Sequence, residues 1–326
     1  MSKILILGAG AMGSAFTFPC TDNGNNVSLI GTPLENDIID ELNNKNKFHK
    51  ILDCTLPEKL EILKIDKLSE KLKEKPDLLV IAVNSKGIEW ASKEVVKNFN
   101  IKTSILLLTK GLTVNNNKFE ILTDKFKFIM GNNYRNLHIS AVAGPCLAKD
   151  LAKKIQSSVV FANTNIELVK NISKLISTEY YFIEHSKDLY GVEMCAAIKN
   201  FYSMIIGSAK GLNEAANLMQ KSIFEMVNFT KALGGKEETV YGLSGLGDLY
   251  VSSAGGRNSK MGKYLGDGYV YSKAKSKFMP NETVEGAELA FEIGPKILKD
   301  VNKKKFPLMY SLVDSLYNDK KLEIKW

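Results

Sequence analysis

The chain has 326 residues, 44% apolar and 25% charged, which suits a globular protein with a large core, long enough for two domains, and excludes an intrinsically disordered one. Its four cysteines, Cys20, Cys54, Cys146 and Cys195, lack C-x-x-C spacing, so neither a disulfide framework nor a bound metal is expected. The net charge of +8 comes from lysines scattered without interleaved aromatics, which argues for a solvated surface and a mild field for anionic substrates rather than a nucleic-acid partner.

Ile4-Leu5-Ile6-Leu7 is a short, fully apolar run, as expected of a strand inside a parallel sheet. It leads into Gly8-Ala9-Gly10-Ala11-Met12-Gly13, which fits G-x-G-x-x-G. In that pattern the first glycine allows a tight turn, the second lets backbone approach a pyrophosphate, and the third lets the helix pack on the strand. The phosphates rest at the helix N-terminus, where free N–H groups and the dipole favour anions. A second strand, Val27-Ser28-Leu29-Ile30, supports a dinucleotide site at Gly8, Gly10, Ala11, Met12 and Gly13. The carboxylate that normally closes this strand on the ribose diol of NAD is missing from its place. Gly31, Thr32 and Pro33 follow instead, and Glu35 comes later. No arginine replaces it for the 2′-phosphate of NADP. Thr32 suits either ribose form, so the cofactor is NAD or NADP, with discrimination expected below about a hundredfold.

Further apolar runs follow at Pro76–Val83, Ile105–Leu108, His138–Ala143, Ser158–Ala162 and Tyr180–Ile183. Ligands in open α/β sheets bind beyond the carboxyl ends of such strands, and Asn84, Lys110 and Gly144 all stand there. From about His185 helical patterns dominate. The expected architecture is a Rossmann-type α/β domain over 1–185 followed by a mainly helical domain over 186–326. No run approaches a membrane span and no signal peptide opens the chain, so a cytoplasmic protein without membrane insertion is expected.

Lys199 ends the run Met194-Cys195-Ala196-Ala197-Ile198, a cation in an otherwise apolar helix. Desolvation lowers a lysine pKa and makes it a usable proton donor. Asp248, beside the glycines of 242–247, is either a helix cap or a partner for such a donor. Gly255-Gly256-Arg257-Asn258 is either an anion site, through the planar arginine fork, or a surface turn. His49, His138 and His185 fit no catalytic constellation and read as structural or surface residues.

Taken together, these segments resemble the NAD(P)-dependent glycerol-3-phosphate dehydrogenase family over nearly the whole chain. The resemblance rests on Gly8–Gly13, Thr109-Lys110-Gly111, Ala143-Gly144-Pro145, Asp188–Glu193, Ala197-Ile198-Lys199-Asn200, Gly242–Leu249, Arg257-Asn258 and Val284-Glu285-Gly286. It implies that Lys199 is the catalytic lysine, with Asp248 beside it and Lys110 orienting the substrate. It implies that Arg257 and Asn258 meet the substrate phosphate and that Glu285 lies close to the cofactor. Ser252 stands where the family usually has threonine. Gly144 joins the substrate set, and Asn84, Lys110, Ala148 and Arg257 the cofactor set.

The departures fall on the substrate side. Cys146 follows Gly144-Pro145 where Ser or Thr is frequent, and Ala196 replaces a glycine. Asn213–Asn217 replaces the family's Asp-Asn-Thr-Lys-Ala segment, and Lys221-Ser222 an Arg-Gly pair. Asn84 replaces a proline common after the family's valine, here Val83. The implied reaction is reversible reduction of dihydroxyacetone phosphate to sn-glycerol 3-phosphate by a homodimer. The alternatives are another small phosphorylated polyol or ketose as substrate, or a non-catalytic dinucleotide sensor. A sensor has no use for Lys110, Lys199, Asp248 and the Arg257-Asn258 pair together.

Overall fold

The computed structural model describes residues 1–324 and divides into two compact units, one formed by 1–110 and 122–189, the other by 111–121 and the chain from Tyr190 onward. The first unit is built on an eight-stranded sheet. Its strands are β1 (Lys3–Leu7), β2 (Asn26–Ile30), β3 (Glu61–Leu63), β4 (Leu78–Ile81), β5 (Ser104–Leu107), β6 (Ile139–Ala143), β7 (Ser157–Ala162) and β8 (Tyr181–Ser186). They lie in the order β8-β7-β6-β5-β4-β1-β2-β3. Every neighbouring pair is parallel except β6 with β7. The run β3-β2-β1-β4-β5-β6 is the order of dinucleotide-binding sheets, with its topological switch between β1 and β4.

The apolar strands form a sheet buried on both faces. Ile4, Ile6, Leu78 and Val80 join the core on one side, and Leu5, Leu7, Leu79 and Ile81 the core on the other. That alternation is the period of two expected of strands covered by helices on each face. Helix α1 (Ala11–Asp22) follows β1 directly and buries Ala15, Phe16 and Phe18.

The second unit is mainly helical. Its central helix, α2 (Leu189–Gly207), is buried at every residue from 191 to 206, as an all-round apolar helix must be. Around it run α3 (Leu212–Ala232), α4 (Asp248–Ser253), α5 (Arg257–Gly266), α6 (Glu285–Asp300) and α7 (Pro307–Tyr317). The helices α2 and α5 approach so closely that a Cβ on Gly262 would stand 2.0 Å from the Met204 carbonyl oxygen. No described helix is long and apolar enough to cross a membrane.

A hairpin from the first half of the chain belongs to this second unit, an exchange that a continuous division at 185/186 does not contain. Its strands, Leu112–Asn115 and Lys118–Ile121, are joined by Asn116 and Asn117, both left-handed with φ of 47° and 56°. The hairpin is held by its side chains. The Phe119 ring meets Phe229 edge-on at 5.4 Å, Phe229 meets Phe306 at 5.9 Å, and the Thr113 hydroxyl donates to Glu292 at 2.8 Å.

Candidate active site

In the first unit the candidate residues collect at the carboxyl ends of β1, β4, β5 and β6. Gly8 takes φ +116°, and a Cβ there would lie 2.7 Å from the Ala82 carbonyl oxygen. A Cβ on Gly13 would lie 2.1 Å from the Gly8 oxygen. Both glycines are therefore demanded by the protein's own packing. Gly10 differs. A Cβ there would meet only the Glu35 Oε1, at an ordinary 3.6 Å, so the space before it is open to a ligand. Gly10 also begins α1 with no side chain capping the helix, so the amides of Ala11, Met12 and Gly13 present an anion site. These features fit the pyrophosphate of a dinucleotide.

Across the switch point, a small cavity of about 30 Å³ is lined by Met12, Phe16, Leu108, Lys110, Val142, Ala143, Gly144, Cys146, Val159 and Tyr181. It brings Lys110 and Gly144 together with the glycine-rich helix in a largely apolar setting. Thr109 fixes the loop before Lys110 by donating to the Val83 carbonyl at 2.7 Å. Asn84 is occupied locally, its Oδ1 accepting from Gly87 N–H at 2.9 Å as the cap of a short helical turn. Ala148 opens the short helix Ala148–Ala152.

The structure changes the reading of the second strand's end. Glu35, which follows the strand too late to be placed from sequence, folds back to the glycine turn. Its Oε2 accepts from Ala9 N–H at 2.9 Å and from Thr32 N–H at 2.8 Å. The turn at Pro33–Glu35 makes this possible, with Thr32 and Glu35 forming a reciprocal capping box. A carboxylate is therefore present at this end of the sheet, and a Thr or Ser followed three residues on by Glu was the signal for it.

In the second unit, Lys199 is 6% exposed and Asp248 3%. The Lys199 ammonium donates to Asp248 Oδ1 in a short ion pair and to Ser252 Oγ at 2.8 Å. Asp248 and Ser252 lie one turn apart on α4, whose start follows the wide π-helical turn Leu243–Gly247. That turn puts both oxygens on the side facing Lys199. A lone buried ammonium would be costly; here it has a counter-ion and a hydroxyl.

Arg257 and Glu285, both about half exposed, pair at 3.3 Å. Asn258 is buried rather than exposed as on a surface turn. It is 8% exposed, donates through Nδ2 to Asn200 Oδ1 at 2.9 Å, and accepts at Oδ1 from Gly286 N–H at 2.9 Å. Asn258 thus ties α5 to α2 and to the start of α6, and Asn200, given no role in the sequence, is its partner. The signal was there, in a polar residue directly after Lys199 in a buried helix. The histidines take no part. His138 and His185 bond Thr164 and Ser173, and His49 is buried with Nδ1 accepting from Leu52 N–H.

Comparison with known proteins agrees over the whole length. Residues 3–169 match the N-terminal and 188–325 the C-terminal model of NAD-dependent glycerol-3-phosphate dehydrogenase. The NADP(+)-dependent glycerol-3-phosphate dehydrogenase of Archaeoglobus fulgidus is 30% identical, the match covering 98% of this chain and 96% of that protein. The NAD(P)+ glycerol-3-phosphate dehydrogenase of Mesoplasma florum is 31% identical, with the same 98% and 96% coverage. The crystal structure of glycerol-3-phosphate dehydrogenase from Coxiella burnetii superposes with a TM-score of 0.86 at 25% identity, over 98% of this chain and 96% of that one. The chain belongs to the NAD-dependent glycerol-3-phosphate dehydrogenase family.

Proposed function

We propose that the protein catalyses reversible reduction of dihydroxyacetone phosphate to sn-glycerol 3-phosphate, using NAD(H) or NADP(H), in the cytoplasm and as a homodimer. The observation that carries this reading is the buried Lys199 bonded to Asp248 and Ser252. Ammonium groups are placed in a core with this support when a reaction needs a proton at a fixed point. The amides of Ala11, Met12 and Gly13 would hold the pyrophosphate, with Lys110 and Gly144 beside the same helix. A nicotinamide held there would supply hydride to the carbonyl carbon.

The rest of the chemistry belongs to the chain. Lys199 Nζ gives its proton to the carbonyl oxygen on reduction and removes it from the hydroxyl on oxidation. Asp248 and Ser252 fix where Nζ points. Asp248 also favours return of the proton to Nζ after each turnover. Arg257 takes the phosphate, exchanging its exposed contact with Glu285 for a stronger charge-assisted fork. Lys110 orients the carbonyl end of the substrate.

The test is oxidation of NADH and NADPH, followed by absorbance, against dihydroxyacetone phosphate, unphosphorylated dihydroxyacetone and a panel of sugar phosphates. The expected result is a clear preference for dihydroxyacetone phosphate, with Arg257→Ala raising KM for it far more than for dihydroxyacetone. Faster turnover of another ketose phosphate would reassign the substrate. Equal sensitivity of both ketones to Arg257→Ala would remove Arg257 from the phosphate.

A further inference from the structure

Glu35 does more at the glycine turn than cap it. Strands β1 and β2 are neighbours, with Leu7 opposite Ile30, and Ala9 and Thr32 lie just beyond their ends. Oε2 of Glu35 spans the two ends by accepting from both amides. That leaves Oε1, which forms no bond among the described residues and stands 3.6 Å from where a Cβ on Gly10 would be. It therefore borders the open space before Gly10. In dinucleotide-binding sheets the adenosine ribose lies between the glycine turn and the end of the second strand, with a carboxylate on its diol.

We infer that Glu35 selects NADH over NADPH, its Oε1 accepting a hydrogen bond from the ribose diol and repelling a 2′-phosphate. The inference rests on the dinucleotide-dependent function proposed above. Proline at the first position of the turn and the reciprocal Thr32–Glu35 bonds hold the carboxylate in place before any ligand arrives. The surrounding charge points the same way. Residues 31–44 carry Glu35, Asp37, Asp40 and Glu41 and no lysine or arginine. Of the lysines that follow, Lys45 and Lys50 pair with Glu41 and Lys64 with Asp40. Nothing in this stretch rewards an added phosphate. The names carried by the relatives span both cofactors, so the choice is not inherited from them, and NADH selection would separate this chain from the NADP(+)-dependent protein of Archaeoglobus fulgidus.

The test measures dissociation constants of NADH and NADPH for the whole protein by fluorescence titration, without substrate. The wild type is expected to bind NADH about tenfold or more tightly than NADPH, the scale on which like charges discriminate. Glu35→Gln keeps an oxygen for the two amides but removes the charge, and should bring the two constants within about threefold of each other. Leu34→Arg is the second variant. Leu34 is 93% exposed, so a cation there leaves the fold alone and should raise NADPH affinity while sparing NADH.

Wild-type protein that binds NADPH as tightly as NADH overturns the inference. So does an unchanged ratio in Glu35→Gln. If that variant does not fold, no gain of NADPH affinity in Leu34→Arg overturns it. Any of these results alongside normal turnover of dihydroxyacetone phosphate leaves the proposed function standing. Failure of both dinucleotides to bind removes both.

Discussion

At the glycine-rich end of the first unit, the groups that await a ligand belong mostly to the main chain. In the second unit they belong to side chains sunk in a helix packed on every side. The difference decides what each region tolerates. Amides at the start of α1 are kept by any residue that preserves the turn, so shape is the constraint there, and it falls on Gly8 and Gly13. A buried ammonium is kept only while its partners remain. Removing one member of such a pair strands the other charge in low dielectric. Backbone sites are specified by space and side-chain sites by compensation.

The largest effect expected from breaking this contrast comes from Lys199→Ala. Loss of a positioned proton donor typically costs about 10² to 10⁴ in rate. Cofactor binding should survive, because the amides and cavity of the first unit contain no atom of Lys199. Asp248 is left without its ion-pair partner, so a lower melting temperature is expected with the lost turnover. The measurements are kcat, KM, NADH affinity and thermal unfolding on one preparation. A near-normal kcat with raised KM would convert Lys199 from proton donor to binding residue.

A pair of glycine variants sharpens the other side of the contrast. Gly13→Ala drives a Cβ into the Gly8 carbonyl, a main-chain atom that cannot swing aside, and should destabilise by about 3 kcal/mol, the upper end for overpacking. Gly10→Ala meets no clash and has a φ of −68°, which alanine adopts freely. Its stability should change little, because the preference of a helix N-cap for glycine over alanine offsets what alanine gains by restricting the unfolded chain. Dinucleotide affinity should nevertheless fall, since the methyl group fills the space before the turn. Urea unfolding and NADH titration of both variants separate the two roles. Full NADH affinity in Gly10→Ala would remove the ligand from that space.

The same contrast explains what was legible in the sequence. Runs such as Ile4–Leu7 and Leu78–Ile81 read directly as buried strands because both of their faces are covered. The glycine spacing read directly because backbone approach leaves a pattern in the chain. Strand β3 was not found, since Glu61-Ile62-Leu63 is a short edge with one fully buried residue. The hairpin 112–121 carried its signal in Asn116-Asn117 between alternating residues, but its membership of the second unit depends on Phe229, Phe306 and Glu292, far along the chain. Glu35 could not be placed from sequence because a three-residue turn brings it back to a strand end it had already passed. The burial of Asn258 was not legible in its glycine-rich context, because only the packing of α5 on α2 turns it inward. The ion pair of Lys199 with Asp248 was reached through family resemblance, since a separation of 49 residues gives no periodic signal.

The smallest effect concerns a second buried charge in the helical unit, one without a cation beside it. Glu225 on α3 accepts from Leu308 N–H at 2.7 Å and Met309 N–H at 3.0 Å, satisfying the first amides of α7, and from the Tyr202 hydroxyl at 3.1 Å. Burial outweighs these three bonds and pushes its pKa up to about 7. The folded protein then holds a proton on Glu225 that the unfolded chain, with an ordinary carboxyl near 4.5, gives up at lower pH. Between these values the native state binds more protons, so this contribution to stability is present below about pH 4.5 and is lost as pH rises through 7. Glu225→Gln cannot titrate. It keeps one carbonyl for one amide and turns its NH₂ toward the other, so it should be less stable than wild type at pH 5. The deficit should shrink by roughly 1–2 kcal/mol on moving to pH 7.5, because only the wild type must ionise in the core. Urea midpoints of both proteins across that range check the sign. A deficit that grows with pH would mean that the amides of α7 and the Tyr202 hydroxyl hold the carboxylate charged throughout, as the backbone site of the first unit would hold an anion.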